Sequence, residues 1–385
     1  MDPYERLRQK LDLFPAGFPK SPETMDMLRL LFSAEDAALA SRAPNFPLTQ
    51  PARRIAARTT LGADQAAARL LNMADRGLIL EYTILGTARY ALMPAMPGFI
   101  EMQFIEPEKM QDPARRRAGQ LWHQAMRGEF GREVFDFPTS SMRVIPVNKS
   151  ISARQTVYSF EEAEKILRAS GRISLTQCAC RTSADACDAP RETCLMLNAG
   201  ADYVGGRMGL ARIITRKQAV AMLERAADAG LVHMTTNNRP PVQVLCSCCA
   251  CCCTGLISVT QLGRPAAGIA SNFRAAPMPG ATCIACGACA KACPTGAITA
   301  PPKPAARTNK GNGGAPEHAP MPVVDADRCL GCGQCARACT RGAMALLRNS
   351  NKAPIPSTAH LWVQMFRDRG KLDRTLLALA RDLIN

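Results

Sequence analysis

The stretches CIACGACAKACP at residues 283–294 and CLGCGQCARACT at residues 329–340 decide the fold of the C-terminal part of the chain. Both have the spacing C-x2-C-x2-C-x3-C. Three thiolates spaced three residues apart can surround a metal cluster from a tight loop, and the fourth leaves that loop at the start of a helix. Zinc sites usually use paired C-x2-C units without a third cysteine at the same step. The two stretches therefore predict two metal-cluster loops rather than zinc knots or disulfides.

This spacing is that of two-cluster bacterial ferredoxins, in which the fourth cysteine of each run binds the other cluster. The predicted ligand sets are therefore crossed between the runs. One [4Fe-4S] cluster is expected on Cys283, Cys286, Cys289 and Cys339, and the other on Cys329, Cys332, Cys335 and Cys293. Ala297-Ile298 and Ala343-Met344 follow the runs at the same offset and predict a short strand or turn over each cluster.

The chain length and the number of cysteines limit the class of protein to which the sequence can belong. The 385 residues are too many for a ferredoxin alone and predict two to three domains. The charged N-terminus does not resemble a signal peptide, and no apolar run approaches the length of a membrane span. Eighteen cysteines without an export signal indicate thiols that are kept reduced for metal binding. We therefore expect a cytoplasmic protein of anaerobic metabolism.

The formal net charge is +16. A basic surface suits nucleic acid, an anionic membrane or an acidic electron-transfer partner. Because the basic residues are scattered along the chain, an evenly spread charge without a specific partner is an equal alternative.

Residues 1–97 are predicted to form a winged-helix-like domain. Ser21-Pro22-Glu23 predicts a helix start, and Asp64 is the expected cap of a helix that extends to Asp75. Two strands around Gly86 would form the wing. Such a domain can place its second helix in the major groove of DNA. That helix would offer only Gln65, Arg69 and Asn72. A docking module is favoured over a DNA reader because this surface is weakly basic.

A second cysteine system lies within residues 98–265. Its ten members form two groups: Cys178, Cys180, Cys187 and Cys194, then Cys246, Cys248, Cys249, Cys251, Cys252 and Cys253. A further iron–sulfur cluster, a structural zinc and buried apolar cysteines are the three interpretations. Six cysteines in eight residues argue against the third, because they cannot all face inward. We expect the two groups to lie close together, and a helical run would place Cys249, Cys252 and Cys253 on one face.

Two features accompany these cysteines. Arg181 directly follows Cys180 and would offset the negative charge of thiolate ligands. Between the cysteine groups, Thr215 predicts the start of a helix, and Gly230-Leu231-Val232-His233 turns out of that helix. This unit is interpreted as a second, partial winged helix.

The chain resembles the 4Fe-4S dicluster domain proteins of anaerobes. The resemblance rests on Cys178-Ala179-Cys180-Arg181, on residues 187–195 and on Gly230-Leu231-Val232-His233, together with the dense run at 246–253 and the two C-terminal runs. It covers residues 20–346 and departs at Ser247, where the family usually has Asn. The resemblance implies electron transfer and metal binding, and it supplies no substrate.

The expected architecture is α+β and multidomain. It comprises a winged-helix-like domain at 1–97, a Cys-rich middle domain at 98–265, a two-cluster ferredoxin-like domain of βαβ repeats at 266–350 and a helical tail at 351–385. Residues 301–322 are predicted to be a flexible insert because they are rich in Pro, Gly, Lys and Asn.

The sequence predicts an iron–sulfur electron-transfer protein, polyferredoxin-like, that serves as a carrier or as a subunit of a larger redox system. It contains no phosphate-binding loop, no dinucleotide fingerprint and no nucleophile–base arrangement that can be singled out, so catalysis by the chain alone stays undecided. One alternative is a redox-sensing DNA-binding regulator, and another is an oxidoreductase subunit with an additional catalytic cluster. A protein redox partner, acidic or flavin-containing, is expected. The sequence leaves open the electron donor and acceptor, the pathway, the metal of the second cysteine system and the oligomeric state.

Overall fold

The computed structural model describes residues 1–147, 162–265, 268–302 and 321–384. The chain mixes helices with several separate sheets, as predicted for an α+β protein. Most of the predicted insert at 301–322 lies outside the described residues. No helix in the described part is long and apolar enough to cross a membrane.

The N-terminal region consists of short helices followed by a hairpin. Its helices are α1 Pro3–Leu11, α2 Pro22–Leu31, α3 Ala34–Ala40, α4 Ala52–Ala56 and α5 Ala63–Asp75. Its strands are β1 Gln50–Pro51, β2 Leu80–Ile84 and β3 Thr87–Ala91, which form one antiparallel sheet in the order β1-β3-β2.

The predicted start of α2 is confirmed, because the Ser21 hydroxyl accepts a hydrogen bond from the backbone N–H of Thr24. The predicted cap of α5 is wrong: Gly62 is the N-cap, and Asp64 lies in the first turn. Leu85 and Gly86 both have positive φ and form the two-residue turn of the hairpin. This element order suits the predicted winged helix, which stays a prediction.

One apolar core extends from the N-terminal helices into the next segment and the tail. It includes residues of α6 Ile100–Met102, α7 Pro113–Arg127, α8 Glu129–Phe135 and the tail helix α16 Thr358–Asp368. Trp122 of α7 is fully buried and stacks on Phe104 with ring centroids 5.5 Å apart. The core thus continues across Pro97, where the sequence suggested a boundary.

The tail packs on the N-terminal region. Its second helix is α17 Leu372–Ile384, and the Lys10 ammonium lies 2.8 Å from the Asp382 carboxylate of that helix. Trp362 of α16 meets the ring of Phe14 edge-on at 6.3 Å. Both contacts are made with the first 20 residues of the chain.

The middle region is built on a six-stranded antiparallel sheet in the order β4-β8-β9-β6-β5-β7. The strands are β4 Met142–Ile145, β5 Ile173–Gln177, β6 Glu192–Leu197, β7 Arg212–Ile213, β8 Val232–Thr236 and β9 Val244–Cys248. The helices are α9 Ala163–Arg168, α10 Ala179–Ala184, α11 Ala199–Ala201, α12 Arg216–Asp228 and α13 Thr254–Thr260. The predicted cap of α12 at Thr215 is confirmed.

Successive side chains of a strand point to opposite faces of the sheet, so the side chains of this sheet are divided between two apolar clusters. Leu245 of β9 packs in the cluster that contains α9 and α12. Cys246 and Cys248 point the opposite way and pack with Leu256 of α13. The strand β8, which suggested a partial winged helix, thus belongs to the six-stranded sheet, and the helix α12 packs against that sheet.

The C-terminal region runs β–α–β–β–α–β along the described chain. Its elements are β10 Phe273–Pro277, α14 Ala288–Lys291, β11 Ile298–Thr299, β12 Val323–Val324, α15 Gln334–Ala338 and β13 Met344–Arg348. The strand β10 pairs with β13, and β11 pairs with β12, both antiparallel. Of the strand or turn predicted after each cysteine run, the structure shows a strand in both places, β11 and β13.

Candidate metal centres

The two C-terminal cysteine loops repeat one backbone shape. The residue before the second cysteine has positive φ in both loops, +51° at Ala285 and +66° at Gly331. The residue after that cysteine is Gly287 in one loop and Gly333 in the other, with φ of +74° and +89°. These left-handed residues turn the chain tightly enough for successive cysteines to converge on one point.

Each loop encloses a cavity. The first cavity is lined by the cysteines Cys283, Cys286, Cys289 and Cys339. The second cavity is lined by Cys293, Cys329, Cys332 and Cys335. The structure thus brings together both crossed sets that the spacing predicted, because each fourth cysteine reaches the cavity of the other run.

Backbone amides donate to four sulfurs of these loops. The donors are Ala285 to Cys283 at 3.4 Å, Ala275 to Cys329 at 3.4 Å, Ala297 to Cys293 at 3.2 Å and Ala343 to Cys339 at 3.2 Å. An N–H directed at sulfur stabilises the thiolate form and tunes the potential of a bound cluster.

The buried thiols need a cation in order to ionise. Burial raises the pKa of Cys332 to about 12, and it raises the pKa of Cys335 further. Nearby cysteines add to both shifts. Because a metal core supplies the compensating positive charge, binding it deprotonates such thiols. The four-thiol sets and their amide donors therefore fit an iron–sulfur core.

The cavities differ in their exposure. Cys286 of the first loop is exposed, and the neighbouring Ile284 has 49% of its surface in solvent. Cys332 of the second loop is buried. The Gln334 side chain donates to the Leu231 carbonyl at 2.8 Å, which ties the second loop to the middle sheet. The first loop thus exposes one of its predicted ligands, whereas the second loop contacts the middle region.

The ten middle cysteines fall into two sets. The outer set is Cys187, Cys249, Cys251 and Cys252, whose sulfurs all lie within 4.8 Å of one another. Cys187 lies 3.8 Å from the Cys249 sulfur and 3.7 Å from the Cys252 sulfur. The Cys251–Cys252 sulfur separation is 3.8 Å.

The inner set holds the remaining six, Cys178, Cys180, Cys194, Cys246, Cys248 and Cys253. Cys246, Cys248 and Cys253 pack in one apolar cluster. Neighbouring thiols shift the pKa of one another in the order Cys178, Cys180, Cys253, Cys248, Cys246, Cys194. The two cysteine groups are therefore close in space, as the sequence suggested.

The helical run considered for Cys249, Cys252 and Cys253 is wrong. Cys246 and Cys248 belong to β9, residues 249–253 form a turn, and α13 begins only at Thr254. The strand places Cys246 and Cys248 on one face, whereas the turn directs Cys249 and Cys252 into the cluster on the opposite face. The segment changes faces because the strand ends within the cysteine run.

Arg181 lies between the two sets with 1% of its surface exposed. Both of its terminal nitrogens donate to the Ser247 carbonyl at 3.0 Å, and the guanidinium also contacts the Cys249 thiol. The negative charge of neighbouring cysteines raises its pKa above the ordinary value, although burial acts in the opposite direction. This buried cation offsets thiolate charge in both sets.

Sequence reasoning missed two supporting residues. The Ser247 hydroxyl lies 3.0 Å from Nδ1 of His233 on the paired strand. Glu101 lies near Cys246, and loss of hydration raises its carboxyl pKa to about 8, with the charge of that cysteine adding to the shift. Ser247 lies in the dense cysteine run but was given no role there, and Glu101 belongs to no motif, so only the folded arrangement identifies both contacts.

Comparison with known proteins finds a similarity for the two C-terminal cysteine loops. No curated protein and no solved structure matches the chain. Residues 282–343 match the family model of the 4Fe-4S dicluster domain, and this segment contains all eight cysteines of the two cavities. The C-terminal part is thus similar to iron–sulfur domains, which together with the middle cysteine cluster indicates iron–sulfur electron transfer.

Proposed function

We propose that the chain relays single electrons through two [4Fe-4S] clusters as a carrier or subunit of a larger redox system. The first cluster is held by Cys283, Cys286, Cys289 and Cys339, and the second by Cys293, Cys329, Cys332 and Cys335. The observation that carries this proposal is the crossed lining of the two cavities. Such clusters accept and release single electrons, with potentials near −400 mV as an order of magnitude.

The residues around the cavities set where electrons enter. Exposed Ile284 and Cys286 give the first cluster a short path to solvent, whereas Cys332 is buried and Gln334 of the second loop donates to the middle region. Arg341 lines the first cavity and is exposed. A basic side chain beside this edge suits an acidic redox partner. The first cavity is therefore the proposed docking side.

The proposed role of the N-terminal region is docking rather than reading DNA. Arg69, a basic side chain of α5 that a DNA reader would use, pairs with Asp36 at 3.2 Å. Arg76 beside it pairs with the same carboxylate at 3.0 Å. A tight, sequence-selective shift of duplex DNA at physiological salt would favour the regulator instead, since binding by charge alone is indifferent to sequence.

Iron and sulfide analysis under anaerobic conditions tests the two-cluster proposal. Cys286→Ala and Cys332→Ala should each lose about four irons per chain, since each residue serves one cluster. Electron paramagnetic resonance of the reduced variants should lose a different signal in each case. Ile284→Ala is the matched control, because it changes the first loop without removing a ligand. Full iron content in either cysteine variant would contradict the assignment.

A further inference from the structure

The sheet separates the outer and inner sets of middle cysteines. Cys249 and Cys252 are buried in the apolar cluster on the α12 face, and Cys187 packs against it. Cys248 and Cys253 are buried in the cluster on the α13 face, and Cys246 packs against it. Two groups of thiols on opposite faces of one sheet cannot surround a single cluster.

The sulfur spacing of the outer set fits one ion. Zinc binds thiolates at about 2.3 Å in a tetrahedron, so its sulfurs lie about 3.8 Å apart along each edge. The separations from Cys187 to Cys249 and Cys252 are 3.8 and 3.7 Å. A cubane binds each thiolate to a different iron and needs wider spacing. The outer set therefore has the dimensions of a mononuclear tetrathiolate site.

The inner set has more members and a different environment. It contains six thiols, which exceed the four that zinc uses in a structural site, and Cys246, Cys248 and Cys253 pack in one apolar cluster with Leu256 of α13. The backbone groups of Arg181, Thr254 and Leu256 act to lower the pKa of Cys178, Cys180 and Cys253, respectively. Backbone amides also donate to sulfurs of the C-terminal loops.

The inner set also adjoins the second cavity. Cys248 and Cys253 share one apolar cluster with Leu330 and Cys332 of the second loop. The Val147 amide donates to the Cys332 carbonyl at 3.0 Å, which fixes that loop against the middle region. If these cysteines bind two separate metal centres, their packing within one group of apolar side chains provides a short path for electrons between the centres.

We propose that the ten middle cysteines form two separate centres of different kinds. Cys187, Cys249, Cys251 and Cys252 bind one zinc ion, and the six inner cysteines hold an additional iron–sulfur cluster. Electron exchange between the cluster at Cys332 and this inner cluster would oxidise the Cys332 cluster by one electron as it reduces the inner cluster by one. This electron transfer rests on the two-cluster function proposed above, whereas the division into two centres does not.

Matched serine variants of Cys251 and Cys246 test the division. Anaerobically purified wild type should contain about one zinc and more than the roughly eight irons of two cubanes. Cys251→Ser should lose most of the zinc and keep the iron. Cys246→Ser should keep the zinc and lose only the iron beyond about eight. Loss of the same metal in both variants, or wild-type iron near eight, would overturn the proposal.

X-ray absorption on wild type tests the same point without depending on the folding of a variant. The zinc edge should report four sulfur neighbours at about 2.3 Å. Nitrogen or oxygen neighbours at zinc, or iron in place of zinc at the outer site, would refute the assignment. Failure of the two-cluster function has a separate signature, because only Cys286→Ala and Cys332→Ala probe the first eight irons.

Discussion

Replacing Gly331 by alanine tests how one close backbone contact shapes the second cavity. Gly331 has φ of +66°, and an added Cβ would lie 2.1 Å from the Phe273 carbonyl oxygen and 2.6 Å from the Ser271 hydroxyl. Phe273 begins β10, and two residues later the Ala275 amide donates to the Cys329 sulfur. The substitution must push the loop away from β10 and displace a predicted ligand from its amide donor.

Gly342→Ala separates the steric contact from backbone strain. Gly342 has nearly the same φ, +63°, but a Cβ there would meet no atom within 4 Å. A left-handed alanine costs about 1 kcal/mol, which is the whole loss expected in the control. Overpacking adds about 1–3 kcal/mol at Gly331. Ala285 occupies the equivalent place in the first loop with φ of +51°, so alanine is compatible with this backbone shape where no carbonyl obstructs it.

The assay combines thermal unfolding at one heating rate with anaerobic iron and sulfide analysis. Gly342→Ala should keep its full iron and show a small drop in unfolding temperature. Gly331→Ala should unfold at a lower temperature and lose about four irons, while the signal from the first cavity persists. Full iron in Gly331→Ala, with an unfolding temperature equal to that of Gly342→Ala, would refute the reasoning.

Two further predictions concern the middle region. Arg181→Gln should weaken zinc binding by about 10–100-fold in competition with a chelator, because it removes a buried cation in contact with Cys249. Arg181→Lys should retain more affinity, and an unchanged affinity in the glutamine variant would exclude this role. Burial lowers the pKa of His233 to about 4 from 6.5, so the stability that its neutral form contributes is full above pH 6.5 and is lost as the pH falls towards 4. Wild type should therefore lose about 2 kcal/mol more than His233→Gln between pH 7.5 and pH 5 in urea unfolding, and equal losses would contradict the prediction.

Features encoded by short stretches of sequence were predictable. The helix starts at Ser21 and Thr215 depend on a side chain that bonds a backbone group three residues along the chain. The crossed cysteine sets were predictable for a similar reason, since one run and its repeat determine which sulfurs converge. The misplaced cap at Asp64 shows the limit of this approach, because a neighbouring glycine can take the same backbone position.

The middle sheet was not predictable, because its strand pairs join distant residues. Leu195 pairs with Leu245, and neither strand shows a simple apolar alternation when cysteines occupy the other positions. The spacing of Cys249, Cys252 and Cys253 matches a helical face equally well. Only the end of β9 within the cysteine run assigns these residues to different sides of the sheet. The separation into outer and inner sets depends on that single structural detail.

The two proposals together define a direction for electrons. The first cavity has an exposed edge at Cys286, and the Gln334 side chain beside the second cavity donates to the Leu231 carbonyl of the middle region. The inner cysteines Cys246, Cys248 and Cys253 pack in one apolar cluster with Cys332. A partner that docks at the exposed edge would therefore reach the inner set through the two proposed C-terminal clusters in turn. The outer set lies on the opposite face of the sheet, where a zinc ion without redox chemistry would fix the turn at residues 249–253 and so hold the inner ligands in place.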